Sequence, residues 1–265
     1  MPMRILAITN QKGGVGKTTT GVNLAASLAA QNQRVLLIDL DPQGNATMGS
    51  GVDKRKLTAS VYHVVLGEKT LAEARVRSGK GEYDVLPANR DLAGAEVEMV
   101  DIEHRETRLK EALAQHASEY DFVLIDCPPA LNLLTVNGLT AAHAVMIPMQ
   151  CEYYALEGLS DLVATVKKVR THLNPTLEIE GLLRTMYDPR NSLAQQVSDQ
   201  LESHFGEKVY RTVIPRNIRL AEAPSHGLPI IHFDRASKGA QAYIALAGEM
   251  LSRNAAASVP SPVAA

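Results

Sequence analysis

The chain has 265 residues, 45% of them apolar and 21% charged, with a formal net charge of −2. That length is long for one core but normal for a doubly wound α/β unit, and the apolar share is ample to build it. A near-neutral balance does not advertise a nucleic-acid partner, the first apolar run is too short for a signal peptide, and no stretch approaches the roughly 18 apolar residues of a membrane helix.

Arg4 to Thr9 reads as a short buried strand, and Val22, Leu24, Ala25, Leu28 and Ala29 recur at helical spacing. Between them stands Lys12-Gly13-Gly14-Val15-Gly16-Lys17-Thr18-Thr19, a glycine turn placed between a strand and a helix start. In that context the backbone N–H groups wrap phosphates and the helix N-terminus adds partial positive charge. Lys17 then reaches the β- and γ-phosphates, and the Thr18 hydroxyl can ligate magnesium. The run departs from the usual pattern, with Gln11 where the first glycine is expected and a second lysine, Lys12, opening the loop. A cation there either projects across a subunit boundary onto a partner's phosphates or is a solvated surface lysine.

Further strand candidates follow at Arg34–Ile38, Tyr83–Leu86, Phe122–Ile125, Ala144–Met149, Ile179–Leu183 and Val209–Ile214. Leu156, Leu159, Val163, Val166 and Val169 mark one amphipathic helix. Leu193, Val197, Leu201 and Phe205 mark another, opened by Ser192 and closed by Gly206. Such alternation predicts an α/β fold, a doubly wound, mostly parallel sheet with helices on both faces. One domain is expected over residues 1–254, with a flexible, uncharged tail over 255–265. Asp39, Asp41 and Asp126 all follow strands directly, which places them with Lys17 on the edge where ligands of such sheets collect. An aspartate closing an apolar strand, as Asp126 does, is the usual second magnesium element. Cys127 and Cys151 read as reduced core residues, and the eight histidines show no paired metal-ligand spacing.

The loop Lys12–Thr19 and the run Asp39-Leu40-Asp41-Pro42-Gln43-Gly44-Asn45 together resemble the deviant Walker ATPases, specifically the ParA/Soj chromosome-partitioning group. The likeness extends through Asp126-Cys127-Pro128-Pro129, Gln150 to Gly158, Met186-Tyr187-Asp188 and Ile214 to Gly227. Only the first few residues, the stretch from about Gly51 to Asp91 and the tail after Arg253 look unconstrained. The resemblance implies ATP and Mg2+ as cofactors, with ATP held by Lys12 to Thr19 and with Pro215 and Asn217 against the adenine. It implies Lys12, Lys17 and Asp41 as catalytic residues, Asp41 positioning the attacking water, and a magnesium shell organised by Thr18, Asp39 and Asp126. It further implies an ATP-dependent homodimer, non-specific double-stranded DNA gripped by Arg190 and Arg219, a ParB-like centromere-binding partner, a cytoplasmic, nucleoid-associated location and no membrane contact.

From Phe205 to Gln241 six cations stand against three acids, a local excess hidden by the whole-chain balance. Phosphate contacts rather than base stacking are expected there, giving binding that ignores sequence and weakens with salt. Arg184 interrupts an apolar run, either emerging at the sheet's edge or extending the patch near Arg190. Three rivals share the fold. A MinD-like membrane ATPase would end in a basic amphipathic helix, an iron–sulfur electron carrier bridging two subunits needs four thiolate ligands, more than Cys127 alone supplies unless Cys151 joins it, and an ATP-dependent scaffold would never hydrolyse its nucleotide.

Overall fold

Seven strands, β1 (Arg4–Ile8), β2 (Val35–Asp39), β3 (Val76–Arg77), β4 (Asp84–Leu86), β5 (Phe122–Asp126), β6 (Ala144–Met149) and β7 (Glu178–Arg184), form one sheet in the computed structural model, which describes residues 3–116 and 118–257. Their order is β3-β4-β2-β5-β1-β6-β7, parallel throughout except for the short antiparallel edge pair β3–β4. Among the described residues, twelve helices cover it: α1 (Lys17–Ala29), α2 (Asn45–Gly49), α3 (Val61–Leu66), α4 (Leu71–Ala74), α5 (Leu92–Glu98), α6 (Arg108–Ala114), α7 (Leu133–Ala141), α8 (Ala155–His172), α9 (Ser192–Phe205), α10 (Ile218–Glu222), α11 (Ile230–Phe233) and α12 (Lys238–Ala257).

Because successive strand side chains point to opposite faces, each central strand feeds two cores. Ile5, Ala7, Leu36, Ile38, Val123 and Ile125 join the apolar residues of α3 to α9 on one side. Leu6, Ile8, Val35, Leu37, Phe122 and Leu124 join α1, α2 and α10 to α12 on the other. Burial on both faces is why these strands read as continuous apolar runs. The C-terminal helices are locked behind the glycine loop. The Thr20 and Tyr243 hydroxyls meet at 3.1 Å, and the Asn23 side chain donates to Thr19 O and accepts from Ile230 N, each at 2.7 Å.

Most expected strands fall within a residue of their positions, but Val209–Ile214 does not form a ladder strand. It runs beside β7 with only isolated parallel bridges, Leu182 to Val209 and Tyr187 to Pro215. Side chains take the backbone groups a ladder would use: Glu249 accepts from Arg211 N and Thr212 N at 2.8 Å, and Arg184 donates to Tyr210 O at 2.8 Å. The stretch from Gly51 to Asp91, which looked unconstrained, builds α3, α4, β3 and β4 and buries Val61, Val65, Tyr83 and Val85 completely. Helix α12 continues through Ala257, so residues 255–257 of the expected tail are helical; residues 258–265 lie outside the described residues. Helix α9 has the expected bounds, yet its cap is Asn191, whose side chain accepts from Leu193 N and Ala194 N.

Candidate active site

The loop after β1 turns sharply into α1 because Gly14 and Gly16 adopt positive φ, 73° and 89°. Left-handed backbone at both positions suits glycine and turns successive N–H groups inward, the geometry of an anion cradle. The loop is buttressed from neighbouring strand ends: Thr185 donates to Val15 O at 2.8 Å, Gln150 to Gly14 O at 3.3 Å and Asn10 to Pro148 O at 2.8 Å. Thr185 and Gln150 were not singled out as site residues from sequence. The available signal was position, since each directly follows a strand at the ligand edge.

Lys17 opens α1 with only 8% of its surface exposed, and its ammonium donates to Lys12 O at 3.0 Å. Burial lowers its pKa, while Asp126, Cys127 and Asp41 pull it back up. Strand register sets Asp39 directly beside Asp126, and Asp126 beside Ile8, so two carboxylates end adjacent central strands next to the loop. Both are buried. Desolvation first, then the Asp39 charge, raises Asp126 well above the usual carboxylate range, against a smaller downward pull from the nearby Thr18 hydroxyl. Neither Asp126 carboxylate oxygen has a partner at hydrogen-bonding distance among the described residues.

Asp39 is used differently. One oxygen accepts from Thr47 N at 2.8 Å and the Thr47 hydroxyl at 2.7 Å, and the other accepts from Asp41 N at 3.1 Å. Burial nonetheless pushes its pKa up to about 6. Its oxygens thus fasten the β2–α2 turn, and Asp126 is the carboxylate left open. Asp41, half-exposed on that turn, accepts from Gln43 N at 2.9 Å. A buried, unpartnered carboxylate beside a lysine and a glycine cradle fits a magnesium ion whose remaining ligands come from phosphate oxygens and water. The residues present therefore fit a magnesium–nucleoside triphosphate.

Lys12 is exposed and pairs with Glu152 of its own chain, just before α8. Tyr153 and Tyr154, 75% and 69% exposed, flank that pair. Pro215 lies beside Tyr187, two residues beyond the Thr185 that holds Val15. Asn217 caps α10 by accepting from Leu220 N at 3.2 Å through its amide oxygen, so its amide NH2 takes no part in the cap. Arg190 and Arg219 are both exposed, Arg190 in the turn before α9 and Arg219 on α10 over the Phe233 ring at 5.3 Å. Tyr210 is fully buried, so aromatics of the basic segment serve packing. Arg184 does not extend the basic patch. It is 6% exposed and donates to Ser198, Glu202 and the Tyr210 carbonyl, pinning α9 and the 209–211 segment to β7. Cys127 and Cys151 are free and buried.

The AAA domain family matches residues 3–179. The sporulation initiation inhibitor protein Soj of Bacillus subtilis is 54% identical over 247 residues, covering 93% of this chain and 98% of the relative. The chromosome partitioning protein ParA of Caulobacter vibrioides is 52% identical over 254 residues, covering 95% of each. The chain belongs to the ParA/Soj family. A solved structure of cobyrinic acid a,c-diamide synthase from Mycobacterium smegmatis, with a bound ATP analogue and magnesium, superposes with a TM-score of 0.84 at 41% identity, covering 96% of this chain and 97% of that one. As a ParA/Soj-type P-loop ATPase with a chromosome-partitioning role, the chain presents its glycine loop, Asp126 and Asp41 along one sheet edge. Among the described residues, no helix is long and apolar enough to cross a membrane.

Proposed function

We propose that the protein is a Mg2+-dependent ATPase that switches between a free monomer and an ATP-bridged homodimer bound non-specifically to double-stranded DNA. Hydrolysis, stimulated by a ParB-like partner, resets the switch; the setting is the cytoplasm, at the nucleoid. The observation that carries the reading is Asp126, buried with both oxygens unpartnered beside Lys17 and the glycine cradle.

In this reading Gly13 to Thr19 bind the phosphates, and Lys17 leaves its Lys12 carbonyl to meet the β- and γ-oxygens. Thr18 and Asp126 hold magnesium, which supplies charge neutralisation on the phosphate oxygens. Asp39 keeps the β2–α2 turn in place, so that Asp41 presents its carboxylate to a water and orients it toward the γ-phosphate. Because phosphoryl transfer asks little covalent work of the protein, catalysis is charge placement. Lys12 exchanges Glu152 for the partner's nucleotide, and the tyrosines beside it lie on the face that closes. Pairing two chains presents two copies of Arg190 and Arg219 together, which raises DNA affinity through effective concentration.

A DNA-retention assay with ATP, ADP and no nucleotide tests the switch. Asp41→Ala should bind ATP and stay on DNA, and Arg219→Glu should bind ATP but leave DNA. Equal retention in ADP and ATP would remove the switch. A MinD-like membrane mode is the second reading; binding of the ATP form to anionic vesicles without DNA retention would favour it.

A further inference from the structure

Arg190 and Arg219 are each already occupied. Arg190 grips Asp188 in two places, Nε to Oδ1 at 2.9 Å and a terminal nitrogen to Oδ2 at 2.8 Å. That pairing first of all holds the Asp188 carboxyl down to about 2. Arg219 donates through Nε to Asp234 at 3.0 Å and through a terminal nitrogen to Glu222 at 2.8 Å. The pairing is selective: among the described residues, Arg216 and Arg235 of the same basic segment are exposed and form no ion pair at contact distance. The two occupied arginines lie on neighbouring segments, because Tyr187 bridges to Pro215 and the Arg216 charge is felt at Asp188.

We infer that Asp188, Glu222 and Asp234 mask the two arginines and compete with DNA phosphates for them, holding DNA affinity low. The inference rests on the proposed DNA role of Arg190 and Arg219. Arg190 and Asp188 cancel, and Arg219 with its two carboxylates carries one excess negative charge, so these groups together offer incoming DNA no attraction. A phosphate must displace a carboxylate rather than meet an open cation. Such exposed pairs are weak and exchange readily, so a surface that presents many phosphates at once wins and an isolated anion does not. The released carboxylate also takes up a cation, offsetting a counterion that DNA gives up, which flattens the salt dependence of binding.

The test uses the full chain with ATP and magnesium on non-specific duplex DNA over a salt series, comparing wild type, Arg219→Glu, and the triple variant Asp188→Asn, Glu222→Gln, Asp234→Asn. The amides are near-isosteric, and Asp188→Asn keeps a side-chain oxygen in the place that now accepts from Arg190 N at 3.0 Å. The triple variant should bind tighter, by up to roughly fivefold per carboxylate neutralised. Its log affinity should fall more steeply with log salt, by about one unit per arginine freed. A purely structural role for the carboxylates would weaken binding and leave the slope unchanged. If Arg219→Glu abolishes retention while the triple variant matches wild type in affinity and slope, masking is wrong and the DNA reading stands. If Arg219→Glu binds like wild type, or neither wild type nor the triple variant binds, both fall.

Discussion

At the strand ends Asp126 is buried with two unanswered oxygens, whereas on the surface Arg190 and Arg219 are exposed with their charges fully answered. Burying an unpaired carboxylate is costly, and that cost is recovered only when a ligand arrives. At the exposed arginines a ligand gains only the difference between phosphate and carboxylate as partner. The first arrangement suits a nucleotide that must bind tightly and be positioned well. The second suits a surface that must let go.

The sharpest way to break this contrast is Lys17→Ala. It removes the cation proposed to meet the phosphates, one whose charge is coupled to Asp126 without bonding it, so ATP affinity should drop by at least about 100-fold, near 3 kcal/mol, as expected for a lost charge-assisted contact. Calorimetric titration with Mg2+–ATP reads it, and a loss under about tenfold, or roughly 1.4 kcal/mol, would place the phosphates elsewhere.

The strain in the buried pair is visible in pH dependence. Because Asp39 is raised to about 6, the folded chain holds its proton more tightly than the unfolded chain does. The Asp39 contribution to the stability of the metal-free protein should therefore be largest at low pH and fall by about 3 kcal/mol as pH rises from roughly 4 to 6, at about 1.4 kcal/mol per unit. Urea denaturation of wild type against Asp39→Asn, with and without Mg2+–ATP, measures this; the ligand should flatten the fall, and a difference that moves the other way over the window would contradict the assignment.

Arg184→Met probes a third treatment of charge, a buried cation whose two terminal nitrogens are answered by the chain and whose Nε is not. Removing it leaves the Tyr210 carbonyl without that donor, while Glu202, half-exposed, returns to water. Unfolding free energy should fall by about 2 kcal/mol, with ATP affinity unchanged if the arginine is only a pin.

Thr185→Val takes away the hydroxyl that holds Val15 O. Stability should fall by about 1 kcal/mol and ATP affinity severalfold. Equal affinity would mean that the glycines alone set the loop's shape.

Strand positions, the phosphate loop and the three aspartates were legible because each is written locally. An apolar run of strand length, glycines where φ turns positive and a carboxylate at a strand's end need no distant partner to be recognised. Val209–Ile214 was misread for the opposite reason. Its apolar run is genuine, but Glu249 and Arg184, 38 and 26 residues away from their contacts there, take its backbone groups. Gly51 to Asp91 looked unconstrained in motif, yet its apolar residues pack across the sheet.

The sequence by itself determined the fold class, the nucleotide loop and which carboxylates border it, since periodicity and short motifs express backbone geometry directly. Only the tertiary structure decided how each charge is answered: Asp126 unpartnered, Asp39 spent on Thr47 and Asp41, Lys12 on Glu152, Arg184 buried, and Arg190 and Arg219 paired with carboxylates. Charge pairing acts through space at contact distance, and several of those partners are far apart along the chain.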